Sequence, residues 1–165
     1  LHRRRHSFPT RRSSDLLMPH AGLLVLIVRF GVEAAQALIY GYAVGLDLTR
    51  RDMQARAKEK SHPWDMSKGF DQSAVAGPIT PAAVCGHPAS GGIWLKVNEQ
   101  LRQQGDLADM MWKVPEIIAN LSTLVRLEAG DLIYTGTPAG VGPLQRGDVL
   151  TAGIDGVGSL QALIV

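Results

Sequence analysis

The sequence predicts a β-dominated α+β domain, and three observations predict it. Apolar runs of strand length recur from Leu23 to Val165. Glycine and proline punctuate the gaps between them, and one long segment carries helical periodicity. No internal repeat, low-complexity stretch or linker divides the chain, so one domain is expected. At 165 residues and 45% hydrophobic content, it can bury a core of its own.

The elements follow in order. Leu23-Leu-Val-Leu-Ile-Val28 is a continuous apolar run, as expected of a strand buried on both faces. Val32 to Leu38 has Ala and Glu at helical spacing and predicts a short helix. The chain then returns as a strand through Tyr42 to Leu46. Arg50 to Lys60 is strongly charged and predicts a short exposed helix, stopped by His62-Pro63-Trp64. Gly77-Pro78 and Thr80-Pro81 read as loop punctuation. Ile93 to Asn98 alternates, and Glu99-Gln100 joins it to Leu101-Arg-Gln103 as a hairpin. Asp106 to Val125 is the one longer helix expected. Asp106 can cap it, and Met110, Met111, Val114, Ile117, Ile118, Leu121 and Leu124 supply a core-facing stripe. Pro115 should kink or restart it. Glu128 to Asp131 turns into a strand at Leu132 to Thr135, and Gly147-Asp148 begins another. Asp155-Gly-Val-Gly158 is a tight turn before the last strand, Ser159 to Val165.

Composition excludes several classes of function. Charged residues make up 19%, and no apolar run approaches membrane-spanning length. The single cysteine, Cys85, rules out an internal disulfide framework and fits a reducing, cytoplasmic setting. No Cys/His spacing suggests a zinc site. The formal charge of +2 misleads, because Arg3, Arg4, Arg5, Arg11 and Arg12 all fall in the first sixteen residues. Beyond residue 16 there are 12 basic against 14 acidic residues, so neither nucleic acid nor a lipid surface is an expected partner.

Residues 1–16 are expected to be a non-native leader. An Arg- and Ser-rich, acid-poor start is also the composition of a mitochondrial transit peptide. Yet the eleven residues His6-Ser-Phe-Pro-Thr-Arg-Arg-Ser-Ser-Asp-Leu16 are together the translation of a string resembling a common sequencing adapter. The expected domain is therefore 17–165, incomplete at its N-terminus.

Two loops and one strand end hold the candidate chemistry. Asp47 closes an apolar run just before a charged helix start. Its carboxylate suits a hard divalent cation, or equally an N-cap for the next segment. Thr135-Gly-Thr-Pro-Ala-Gly-Val-Gly142 is rich in glycine and hydroxyls. It lacks the Gly-Lys-Ser/Thr end of a P-loop, so a carboxylate or enolate oxygen is a better fit than a phosphate; a plain turn is the alternative. Lys68 lies between loop signals, where a lysine is ordinarily just solvated.

These pieces occur together with Gly41-Tyr-Ala-Val-Gly-Leu-Asp47-Leu-Thr-Arg-Arg51-Asp52-Met-Gln54, Pro63-Trp64 and Lys68-Gly-Phe-Asp71. Further on come Val97-Asn98, Arg102-Gln-Gln-Gly105, Asp109-Met110 and Gly130-Asp131. In that order, over roughly Tyr40 to Val165, the chain resembles the fumarylacetoacetate hydrolase family, and within it the fumarylpyruvate and acylpyruvate hydrolase branch. The resemblance implies a mixed β-sandwich roll, a homodimer, and a divalent cation, Mg²⁺ or else Mn²⁺ or Ca²⁺. It also implies a 2,4-diketo acid substrate cleaved at a C–C bond in aromatic catabolism. By the same resemblance Asp47 is a metal ligand, Gln54 and Lys68 bind substrate oxygens, Lys68 also serves catalysis, and Thr137 binds the pyruvyl carboxylate. Arg51 and Asp52 are helix-start charge contacts.

The chain departs from the family's pattern at one point. The other two metal ligands of the family lie in a Glu-x-Glu before the first apolar strand, where this chain has His20-Ala21-Gly22. His20 offers an imidazole, and Gly22 offers no side chain. The segment carrying the family's water-activating His/Glu pair is absent. Two alternatives follow: an isomerase or decarboxylase acting on dienedioates, or a non-catalytic remnant. Exposed strand edges should also make the chain marginally soluble.

Overall fold

The structure is a computed structural model that describes residues 17–18, 21–27 and 32–165. Its strands are β1 (Leu17–Met18), β2 (Ala21–Ile27), β3 (Ile39–Asp47), β4 (Thr49–Arg50), β5 (Ala74–Ala76) and β6 (Thr80–Pro81). They continue with β7 (Gly92–Val97), β8 (Gln100–Asp106), β9 (Leu132–Tyr134), β10 (Val149–Ile154) and β11 (Gly158–Leu163). Three α-helices intervene, α1 (Arg51–Glu59), α2 (Ala82–Cys85) and α3 (Val114–Leu124), with 3-10 turns at Val32–Leu38, Asp65–Ser67 and Leu107–Asp109. The class is α+β with strands dominant, as the sequence predicts.

One sheet runs β5-β3-β2-β9, with β6 also on β3; a second runs β11-β10-β7-β8; β1 and β4 form a short ribbon. Every pairing among the described residues is antiparallel, so these strands do not show the mixed character that the resemblance implies. Leu23, Val44 and Leu46 of the first sheet join Leu95, Leu150 and Ala152 of the second in one buried core. Removing such side chains from water is the main drive for bringing the sheets together.

Strand β3 is buried almost end to end, which its Gly-Tyr-Ala-Val-Gly-Leu run already suggests, and Asp47 is its last residue. The hairpin β7–β8 turns at Asn98 and Glu99, both at positive φ, one residue earlier than the sequence suggests. The short left-handed turn matches the twist of the flanking strands.

The longer helix differs from expectation. Asp106 does cap a turn, its Oδ1 accepting from the Ala108 N–H at 2.8 Å, but that turn is 3-10 and ends at Asp109. The α-helix restarts at Val114, with Pro115 in its first turn and the Lys113 N–H bonded to Glu116 Oε2 at 2.6 Å. Proline lacks an N–H that the first turn cannot use anyway, so it starts this helix instead of kinking one. Met111 and Leu124 fall off the expected core stripe, at 96% and 71% exposure. Among the described residues no helix is long and apolar enough to cross a membrane.

Candidate active site

Register brings three candidate segments to one end of the first sheet. Gly22 pairs with Gly45, two residues before Asp47, while Leu24 pairs with Tyr134, just before the 135–142 loop. The start of β2, the end of β3 and the exit of β9 are therefore neighbours. Thr135 fastens the exit, with its hydroxyl donating to Leu23 O at 2.9 Å and its N–H to the same oxygen at 3.2 Å.

Asp47 ends β3 with its carboxylate facing Lys68, and Nζ lies 2.5 Å from Oδ2. Both side chains are about a third exposed. The capping alternative for Asp47 fails: α1 begins after Arg50, with no side-chain cap bond. Lys68 follows a 3-10 turn held by the buried Ser67, whose hydroxyl donates to Trp64 O. Two cation–π contacts tie that segment to the start and end of α1. The Arg50 guanidinium lies 4.3 Å from the Phe70 ring, and Lys58 Nζ lies 4.9 Å from the Trp64 ring. Leu48 N–H donates to Ser73 O at 2.7 Å and closes the loop.

Gln54 is buried on α1, and its Oε1 accepts from Arg51 at 2.5 Å. Asp52 pairs with Arg56 one helical turn on. Arg51 and Asp52 thus make the helix-start contacts expected of them. Thr137 lines a cavity of about 640 Å³ together with Tyr134, Pro138, Leu107, Met110 and Trp112. Asp47, Lys68 and Gln54 stand outside that lining. The structure therefore brings Asp47 and Lys68 into contact, and gives Thr137 to an adjoining cavity.

Tyr134 connects the two. Its ring lies on Gly45, where a Cβ would come within 2.7 Å of Cε1, and its hydroxyl donates to Val75 O at 3.1 Å. Burial raises the phenol pKa, and the Asp47 charge raises it further. Tyr134 was missed by sequence reasoning because it reads as an ordinary strand aromatic. Gln103, missed too, sits behind Thr137 and donates Nε2 to Oγ1 at 2.9 Å. Only its place in Arg102-Gln-Gln-Gly105 gave a hint. Among the described residues, Asp106 and Asp109 are the charged ones in the cavity wall. Backbone N–H groups of Ala108 and Gly91 hold the Asp106 carboxyl below its usual range.

A divalent cation makes definite demands on its donors. Such an ion needs about six oxygen ligands, several of them anionic. Among the described residues, no cluster of three or more His, Cys, Asp or Glu side chains could hold one. Asp47 is already paired with an ammonium, and at position 22 a Cβ would meet Gly136 O at 2.5 Å. His20 lies outside the described residues. The described residues alone do not fit the ion.

Residues 27–165 match the family described as Fumarylacetoacetate (FAA) hydrolase C-terminal. The chain belongs to the fumarylacetoacetate hydrolase family. It is similar to a fumarylpyruvate hydrolase from a Ralstonia species, at 42% identity over 82% of this chain and 70% of that protein. It is also similar to a mitochondrial oxaloacetate tautomerase from Mus musculus, at 44% identity over 78% of this chain and 58% of that protein. Among solved structures, a Pseudomonas aeruginosa fumarylpyruvate hydrolase in complex with Mn²⁺ and pyruvate superposes with a TM-score of 0.89. It is 39% identical, covering 96% of this chain and 69% of that one. The chain spans 57% to 59% of the length of the first curated relatives that it matches. Family members include hydrolases and isomerases, and the Pseudomonas aeruginosa neighbour holds Mn²⁺.

Proposed function

We propose that this chain is the catalytic part of a hydrolase that cleaves a C–C bond of a 2,4-diketo acid of the acylpyruvate or fumarylpyruvate type. The observation that carries the reading is the Asp47–Lys68 pair at 2.5 Å beside a cavity walled by the Thr137 hydroxyl. The similar fumarylpyruvate hydrolases, one holding pyruvate, support the same substrate class.

In this reading Thr137 and the backbone N–H groups of its loop bind the carboxylate of the pyruvyl end. Lys68 faces the 2-oxo oxygen, and Gln54 binds a substrate oxygen from α1. Water adds to the distal carbonyl carbon and the C–C bond breaks. The electron pair is left as pyruvate enolate, which takes a proton at carbon. An ammonium fixed beside the developing enolate oxygen lowers that barrier, because it is already oriented when the charge appears. Asp47 holds the ammonium in place. Metal dependence, Mg²⁺ or Mn²⁺, comes with the proposal as an expectation from the resemblance; the described residues offer one carboxylate toward it, Asp47, and do not by themselves complete a site. A homodimer, a cytoplasmic setting and a place in aromatic catabolism come with it as expectations from the resemblance.

The test is consumption of an acylpyruvate, followed by loss of the diketo-enol absorbance with excess Mn²⁺ or Mg²⁺. Two products, pyruvate and a carboxylic acid, are expected. An isomer of the substrate as the single product would instead support the isomerase reading, which the similarity to the tautomerase favours, and CO₂ with one organic product would support the decarboxylase reading. No turnover in excess metal would overturn the hydrolase. The donor set among the described residues then favours a non-catalytic chain that retains the carboxylate pocket. Micromolar Mn²⁺ affinity would count against that second reading.

A further inference from the structure

Gln103 sits on β8 at 1% exposure, one of few polar residues in the core. Burying an amide is unfavourable unless its groups find partners. Here Nε2 donates to Thr137 Oγ1 at 2.9 Å and to Pro138 O at 2.7 Å, so both hydrogens serve one loop. A carbonyl can only accept, so the group facing Pro138 O must be the NH₂. That fixes the amide's orientation without reference to hydrogen positions. It follows that Thr137 Oγ1 is an acceptor toward Gln103, and its own O–H must point elsewhere.

The loop is pressed onto β8 at the same place. A Cβ at Gly140 would run into Arg102 O, and one at Gly105 would come within 3.0 Å of Pro138 Cβ. Thr137 lines the cavity while Gln103 lies behind it, so the side of the hydroxyl away from the amide is the cavity side.

We propose that Gln103 is a positioning residue: its amide sets the direction of the Thr137 hydroxyl so that the O–H is donated into the cavity, to a carboxylate oxygen of the 2-oxo acid. The inference rests on the proposed role of Thr137. Without the amide, Pro138 O loses its donor and the Thr137 hydroxyl turns to satisfy it, withdrawing its proton from the ligand.

Pyruvate affinity of the 165-residue chain, measured by calorimetry, tests this in a double-mutant cycle. Thr137→Val should weaken binding about tenfold, the share of a hydrogen bond to a charged group. Gln103→Met should weaken it several-fold in the native background and by less than about twofold in the Thr137→Val background. If Gln103→Met loses cooperative unfolding, Gln103→Asn, an amide too short to reach, should show the same dependence on Thr137. Unchanged affinity in the folded Gln103 variant, or an equal loss in both backgrounds, overturns the positioning role. Unchanged affinity in Thr137→Val, or no binding by the wild type, overturns the reading of Thr137 and the inference with it.

Discussion

On one side of the candidate site, Thr137 is fixed by a 1%-exposed amide and by a loop pressed onto β8; on the other, Asp47 and Lys68 meet with about a third of each side chain in solvent. The first side is anchored from behind by a buried amide, although Thr137 itself is exposed, so a lost contact there strands the amide group. The second is held by charge in partial contact with water, where screening weakens it. The difference suggests a division of labour. In the proposed reading the amide-anchored side recognises the carboxylate end of the ligand, and the charged side holds an ammonium ready for the enolate oxygen.

A lesion in the shared core should abolish the comparison by hitting both sides together. Leu46 is fully buried and immediately precedes Asp47. Leu46→Ala is expected to lower unfolding stability by about 2–5 kcal/mol in urea titration. A loss below about 1 kcal/mol would mean that the two sheets are not one cooperative unit.

Alkali should act next, through tyrosines packed in the same sheet. Burial first and the nearby Cys85 second push the Tyr42 hydroxyl up to about 12, and it also bonds His87 Nδ1 at 2.7 Å. The folded state therefore holds its proton more tightly than the unfolded chain, whose tyrosine releases it near 10. That stability is fully present below pH 10 and is lost as pH rises through 12. The whole effect is up to about 3 kcal/mol for a shift of this size. Tyr134, raised in the same direction, adds to the fall. Unfolding titrations between pH 9 and pH 12 should show the decline, and Tyr42→Phe should flatten much of it.

Gln103→Met sharpens the comparison from the side anchored by the buried amide. Pro138 O loses a donor at 2.7 Å, so a cost of about 1–3 kcal/mol is expected by urea unfolding, unchanged by salt.

How much of this was legible beforehand follows from the range of each interaction. The end of β3 at Asp47 could be read because a run of apolar residues stopping at a carboxylate is a local signal. The helix over Asp106 to Val125 was misjudged because periodicity ran across Lys113-Val-Pro-Glu116, where proline and a side-chain bond to the Lys113 N–H start a new helix. The resemblance assigns Asp47 and Lys68, 21 residues apart, to one site as metal ligand and substrate contact, and no spacing rule announces the ion pair between them. The Gln103–Thr137 bond spans 34 residues and the Tyr134–Val75 bond 59. Both depend on which strands pair, and nothing in the local sequence announces them.

The smallest effect is expected on the charged side. With both groups about a third exposed, Asp47→Asn should change unfolding stability by no more than about 1 kcal/mol. Whatever the pair contributes should shrink as salt rises, since ions screen exposed charges over about 10 Å at 0.1 M. The substitution should nonetheless free Lys68 to move and so reduce turnover of an acylpyruvate far more than it reduces stability. Parallel urea titrations in low and high salt, run beside the turnover assay, check this. A stability loss as large as that of Gln103→Met would show that the Asp47–Lys68 pair is as desolvated as the amide, and the contrast between the two sides would disappear.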